Sequence, residues 1–271
     1  MISVYGATGF IGSKFCKKYN VHIMPKQNLV PPNETTKVLY LISTVDNYNV
    51  LSNPYIDIET NLIHLMKVLD AIRDKNIEFT FISSWFVYGD TELPAKETSP
   101  CNPKGFYSIT KRTAEQLIES YCKTFNIDYK IIRLANVVGK GDGKISKKKN
   151  ALQYLINEMS LGNDINLYHG GNFYRDIIHV DDVVDGIKFI LDKGLSGEIY
   201  NLGSKDEPIL FKEVINYLHE KLNSKSSIGS MEPTDFHKIV QVESMYLDKT
   251  KLKTLGFEGS KNIFQTISDL L

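Results

Sequence analysis

The sequence predicts an α/β fold: a doubly wound parallel sheet, followed by a smaller C-terminal lobe of mixed α/β structure. Three observations carry this prediction. Short β-rich runs alternate with segments of helical period through the first half of the chain. One of those runs, VLYLIST (38–44), is apolar almost throughout, as a strand covered on both faces must be. The chain also opens on a glycine-spaced turn from strand to helix, GATGFIG (6–12).

Each element follows from its own pattern. ISVYGA (2–7) is a β-rich run, a helix extends from Gly9 to about Tyr19, and VHIMPK (21–26) is a second strand, giving a βαβ opening. The link QNLVPPNETTK (27–37) carries paired prolines and is too short for another helix and strand. It is long enough to cross the sheet, because extended chain reaches about 3.3 Å per residue. The third strand of the usual order is therefore expected to be missing, with VLYLIST taking the next position. The pattern continues with a helix over 55–75, the strand EFTFISS (78–84), a helix from about Pro103 to Phe125, and YKIIRLANVVG (129–139) as a strand. Beyond residue 140 the expected elements are a helix at 150–161, short strands near 165–168 and 177–180, a helix at 181–192, the strand EIYNLG, and a helix at 210–222. Residues 1–140 are expected to form the core, and 141–271 mainly the lobe, with about 163–195 returning to the core.

Composition limits the function classes. Lys plus Arg and Asp plus Glu both total 32, so no global field attracts nucleic acid or an anionic membrane. No segment reaches the roughly 20 apolar residues that span a bilayer, and the N-terminus has no signal-peptide pattern. Cys16, Cys101 and Cys122 are scattered, without disulfide or zinc spacing, which fits a reducing cytoplasm and gives no metal site.

The chemistry begins at GATGFIG. A pyrophosphate needs backbone N–H donors at a helix N-terminus and no Cβ where the chain approaches it, so Gly6, Thr8, Gly9, Phe10, Ile11 and Gly12 are expected to bind a dinucleotide on a Rossmann-type sheet. No acidic residue closes the second strand to accept the adenosine ribose. Lys26 stands there instead, which favours NADP(H) and leaves NAD possible. Further along, Tyr107 and Lys111 lie one helical turn apart in FYSITKRTAEQL, on one face. A fixed ammonium within about 4–6 Å would lower the phenol's pKa and make Tyr107 a usable acid or base.

In order along the chain, GATGFIG, SSWFVYG, YSITK, RLANVVGKGDG, YRDIIHVDDVVDGI and YNLGS closely resemble the extended short-chain dehydrogenases/reductases acting on nucleotide sugars, a family of epimerases, dehydratases and 4-ketoreductases. The resemblance implies Ser84 as catalytic hydroxyl, Tyr107 as proton donor or acceptor, and Lys111 as the residue that tunes it and reaches the nicotinamide ribose. It places Ser43, Thr44 and Asn61 beside the cofactor, and Ser84, Trp85, Asn136 and Arg175 on the side of a nucleoside diphosphate sugar. An ion pair of Arg175 with Asp176 is the structural alternative. Lys147, Lys148 and Lys149 read as a solvated cluster, and His179 as a core histidine.

Family dehydratases carry an acidic pair directly after the catalytic hydroxyl, whereas Trp85 and Phe86 stand there in this chain. This departure disfavours dehydration. Reduction of a 4-keto sugar leads, a 4-epimerase with tightly held NAD comes second, and a non-catalytic dinucleotide-sensing protein third. Family members commonly form homodimers through the helix bearing Tyr107 and the one before it. Leu62, Leu65, Leu69, Leu117 and Ile118 would suit such a contact or a core equally.

Overall fold

A computed structural model describes residues 1–45, 47–142 and 151–271. The run Lys147 to Lys149 lies outside the described residues. The first half comprises β1 (Ile2–Tyr5), α1 (Phe10–Lys18), β2 (His22–Met24), β3 (Lys37–Tyr40), α2 (Asn49–Ser52), α3 (Tyr55–Ile58), a π-helical turn (Glu59–Ile63), α4 (His64–Ile72), β4 (Glu78–Ser84), α5 (Phe106–Phe125), β5 (Tyr129–Leu134) and β6 (Asn136–Val138). The second half comprises α6 (Ala151–Ser160), β7 (Ile165–Tyr168), β8 (Tyr174–Arg175), β9 (Ile177–His179), α7 (Val180–Lys193), β10 (Glu198–Leu202), β11 (Ile209–Leu210), α8 (Phe211–Lys221), β12 (Ile228–Met231), α9 (Asp235–Val240), α10 (Thr250–Leu255) and α11 (Ile263–Ser268).

Six parallel strands form the main sheet in the order β10-β5-β4-β3-β1-β2. The chain leaves β2 at the edge and crosses to the other side of β1, so the strand order reverses between β1 and β3. In such sheets this switch point is where ligands bind. The crossing link is tied down by the Tyr5 hydroxyl, which donates to the Leu29 carbonyl at 2.7 Å, and by Lys75 Nζ, which donates to the Pro31 carbonyl at 3.3 Å. One core lies between the sheet and α4 and α5, around Val38, Leu65, Phe79 and Ile118. A second lies under α7, around Val4, Phe15, Val183 and Ile187, and a third fills the lobe around Leu167, Val214 and Ile267.

Several boundaries depart from the expectations. VLYLIST pairs only through Tyr40, so Ser43 and Thr44 lie beyond the strand in irregular chain. The helix expected over 55–75 is broken into α3, the π-helical turn and α4, with Asn61 inside the π turn. The run 129–139 divides at Ala135. There the chain turns from the main sheet to pair with β9, and the Asn136 N–H and side-chain amide both donate to the Asp176 carbonyl at 3.0 Å. The return from lobe to core is made by α7, which packs on α1, and by β10, whereas β7 stays in the lobe paired with β12. Leu65, Leu69 and Ile118 are wholly buried in the core and take no part in any surface. Among the described residues no helix is long and apolar enough to cross a membrane.

Candidate active site

The three ends of β1, β3 and β4 open onto one cleft of about 1170 Å³, walled on the far side by the lobe. Its floor is the glycine turn. Gly6 has φ +86°, and a Cβ there would sit 3.0 Å from the Ile42 nitrogen. A Cβ on Gly12 would lie 2.2 Å from the Gly6 carbonyl, so only glycine lets α1 start this close to the strand. Gly9 caps α1 without a side-chain hydrogen bond, and no acid occupies the first turn. The N–H groups of Phe10, Ile11 and Gly12 therefore face the cleft without a side-chain acceptor, an arrangement that fits a dinucleotide pyrophosphate. Thr8 and Lys26 are exposed and lie outside the cleft wall.

Behind the turn a polar cluster fixes the segment after β3. Asn61, 2% exposed, receives the Thr44 N–H at 2.9 Å and the Ser43 hydroxyl at 3.1 Å, and its amide donates to Thr44 Oγ1 at 2.8 Å and Thr110 Oγ1 at 2.9 Å. With its partners filled, Asn61 holds Ser43 and Thr44 at the cleft wall and does not line the cleft itself. Thr44 also donates to Asp57, a buried carboxylate that sequence reasoning missed.

Ser84 ends β4, and its Oγ accepts the Phe86 N–H at 3.3 Å, capping a short 3-10 turn. That turn presents Trp85 stacked on Phe86, ring centroids 3.9 Å apart, with Phe86 edge-on to Tyr107 at 6.1 Å. Tyr107 opens α5, half-buried against this aromatic wall. Burial pushes its phenol up to about 12, while the hydroxyls of Ser84 and Ser43 draw it down and Asp57 adds to the rise. The lowering expected from Lys111 is not found. Burial lowers the Lys111 ammonium to about 7, its Nζ donates to the Ile82 carbonyl at 2.6 Å, and it sits 4.4 Å over the Phe81 ring. Its charge is upheld by Glu115, one turn further along α5, which is buried against Arg133 at 3.0 and 2.7 Å and Arg112 at 2.8 Å. The spacing of Tyr107, Lys111 and Glu115 could have flagged the third residue.

On the lobe side, Asn136 and Arg175 both line the cleft. Arg175 makes no bond to Asp176. Its guanidinium donates to the carbonyls of Tyr174 at 2.9 Å, Val242 at 3.0 Å and Glu243, and lies 4.5 Å from the Phe173 ring centre. Burial lowers it to about 10. Asp176 is instead buried beneath, accepting the N–H groups of Ser204 at 2.8 Å and Leu247 at 3.3 Å. His179 is a buried residue whose Nδ1 accepts the Asp181 N–H at the start of α7. Tyr48, Tyr168 and His237 also line the cleft, and no sequence motif pointed to them.

Comparison with known proteins identifies the family and the fold. A dTDP-glucose 4,6-dehydratase of Mycobacterium tuberculosis is 30% identical over 178 residues, 64% of this chain and 53% of that protein, so the match spans about half the length of the relative. A putative UDP-glucose 4-epimerase of Methanocaldococcus jannaschii is 25% identical across 95% of this chain and 93% of its own. The crystal structure of a UDP-glucose 4-epimerase from Thermotoga maritima has the same fold, with a TM-score of 0.85 at 21% identity over 99% of this chain and 96% of its own. The model of the NAD dependent epimerase/dehydratase family matches residues 27–203, and the chain belongs to that family.

Proposed function

We propose that the chain is an NADPH-dependent 4-ketoreductase that reduces a 4-keto sugar carried on a nucleoside diphosphate. The reading rests on one observation above the others: the two positions after Ser84 are the stacked aromatic rings of Trp85 and Phe86, with Phe86 edge-on to Tyr107. A dehydratase needs an acid and a base near the carbons that lose water, and Trp85 and Phe86 supply neither. A phenol raised to about 12 is a weaker acid than free tyrosine but still a stronger one than the alcohol that reduction forms, so it can donate to an oxygen that is gaining charge.

The Gly6 to Gly12 turn would hold the dinucleotide pyrophosphate, with Ser43, Thr44 and Lys111 toward its nicotinamide half. When bound, the dinucleotide supplies a hydride. Tyr107 Oη donates its proton to the carbonyl oxygen being reduced, and Ser84 Oγ hydrogen-bonds the same oxygen. Arg175 and Asn136 bind the diphosphate side of the substrate, the guanidinium through paired donors. Lys26, exposed at the end of β2 where a carboxylate would mark NAD, suits a 2′-phosphate. A 4-epimerase with retained NAD is the second reading, favoured by the likeness to the putative epimerase along nearly the whole chain.

The chain is further proposed to work in the cytoplasm, where its three free cysteines stay reduced, and as a homodimer. The apolar surface left exposed by Ile56, Ile63, Phe106 and Ile109, on α3, the π turn and α5, supports the dimer.

The first test is to denature the purified protein and identify any dinucleotide released. Stoichiometric NAD would turn the assignment to the epimerase, whereas a protein that releases none and binds NADPH more tightly than NADH supports the reductase. Tyr107→Phe should then lose turnover of 4-keto nucleotide sugars with NADPH while keeping cofactor affinity. Normal turnover in that variant would sink the assignment of Tyr107.

A further inference from the structure

The cleft is roofed by residues 231–243, a strap that leaves the lobe after β12, forms α9, and returns along β8. His237 sits in its middle. The Tyr48 hydroxyl lies 2.8 Å from His237 Nε2, and the Tyr168 hydroxyl 2.9 Å from Nδ1, where Thr234 Oγ1 also approaches at 2.8 Å. Tyr48 meets the imidazole edge-on with ring centroids 5.7 Å apart, and Tyr168 tilts against it at 5.1 Å. Tyr48 follows β3 on the nucleotide half, while Tyr168 ends β7 in the lobe. One imidazole thus joins both walls of the cleft to the strap above it. Its two nitrogens diverge, so it can hold two hydroxyls on opposite sides in a fixed geometry.

The other end of the strap holds Arg175. The carbonyls of Val242 and Glu243 accept from the guanidinium, Ser244 Oγ accepts the Tyr174 N–H at 3.1 Å, and the Met245 N–H donates to the Tyr174 carbonyl at 3.1 Å. The guanidinium is a long side chain whose rotamer freedom must be lost before it can bind a diphosphate with paired donors. Carbonyls fixed by the strap remove that freedom in advance.

We propose that His237 is a positioning residue for the substrate diphosphate: by clasping Tyr48 and Tyr168 it fixes the strap whose carbonyls seat Arg175 toward the cleft. The inference rests on the nucleotide-sugar reading above. It implies that loss of the clasp weakens diphosphate binding and raises KM. Dinucleotide affinity should be kept, because the clasp bonds of His237 go to Tyr48, Tyr168 and Thr234 and none of these goes to the Gly6 to Gly12 turn that would hold the pyrophosphate.

Titration calorimetry of wild type and His237→Ala with UDP, dTDP and NADPH tests this. The nucleoside diphosphate that wild type binds should bind His237→Ala about tenfold more weakly, with NADPH affinity unchanged. Tyr48→Phe and Tyr168→Phe keep the rings and remove one hydroxyl each, so they test the clasp if His237→Ala fails to fold. Each should weaken the diphosphate by a fewfold and leave NADPH alone. Equal diphosphate affinity across wild type and these variants overturns the role of His237 while the nucleotide-sugar reading stands. A folded wild type that binds neither diphosphate overturns that reading, and the inference with it.

Discussion

Replacing Lys111 by methionine should stabilise the protein, and the gain should shrink as pH rises. Lys111 is 3% exposed, and burial lowers its ammonium from 10.5 to about 7 against the opposing pull of Glu115. A lysine with a folded pKa below its unfolded one binds fewer protons folded than unfolded. Stability therefore rises with pH across the interval between the two values. With those values the group costs the fold about 5 kcal/mol at pH 6 and about 2 kcal/mol at pH 9. Methionine forfeits the 2.6 Å bond to the Ile82 carbonyl, which the amine can donate whether charged or neutral. That loss is about 1–3 kcal/mol and comparatively insensitive to pH. The variant should then be more stable than wild type by about 2–4 kcal/mol at pH 6 and nearly level with it at pH 9. Urea unfolding of both proteins at the two pH values measures this directly, and other titrating groups cancel in the difference. A stability difference that stays constant between pH 6 and pH 9 would refute the claim that Lys111 carries a buried, strained charge.

Two further substitutions probe the turn and the helix behind the site. In Gly12→Ala the new Cβ would meet the Gly6 carbonyl at 2.2 Å, so α1 must move off the turn, and NADPH affinity measured by calorimetry should fall by more than about tenfold. Unchanged affinity would mean that the turn does not carry the pyrophosphate. Glu115→Gln leaves the buried Arg133 without its carboxylate and should cost about 3–5 kcal/mol in urea unfolding. An unaltered midpoint would show that the pair is dispensable to the fold.

The sheet was legible because strands covered on both faces need apolar side chains, and the run VLYLIST declares that locally. The crossing to the far side of β1 was legible too, since the link after β2 has too few residues to build a helix and strand. The break in the helix over 55–75 was not, because it depends on partners distant in sequence. Asn61 bonds Thr44, 17 residues before it, and Thr110, 49 residues after it, and no local period encodes either contact. The turn at Ala135 is similar, since the carbonyl that captures Asn136 belongs to Asp176. In the lobe, β8 and β11 have two residues each, too short for alternation to show.

In the site, spacing located the groups but did not set their acidity. A spacing of four positions puts Tyr107 and Lys111 on one face, and from that alone the phenol should be lowered. The lowering requires a charged ammonium turned toward the phenol. Burial brings the ammonium near neutrality at pH 7, and its Nζ is committed to the Ile82 carbonyl. Tyr107, half-buried against Phe86 with Asp57 nearby, is therefore raised and not lowered. Any charge left on Lys111 depends on Glu115, and Glu115 stays ionised only because Arg133, reaching from β5, and Arg112 share its carboxylate. The acid that the proposed reaction needs thus follows from which elements cover the start of α5, a tertiary property, while the motif fixes only where that acid stands.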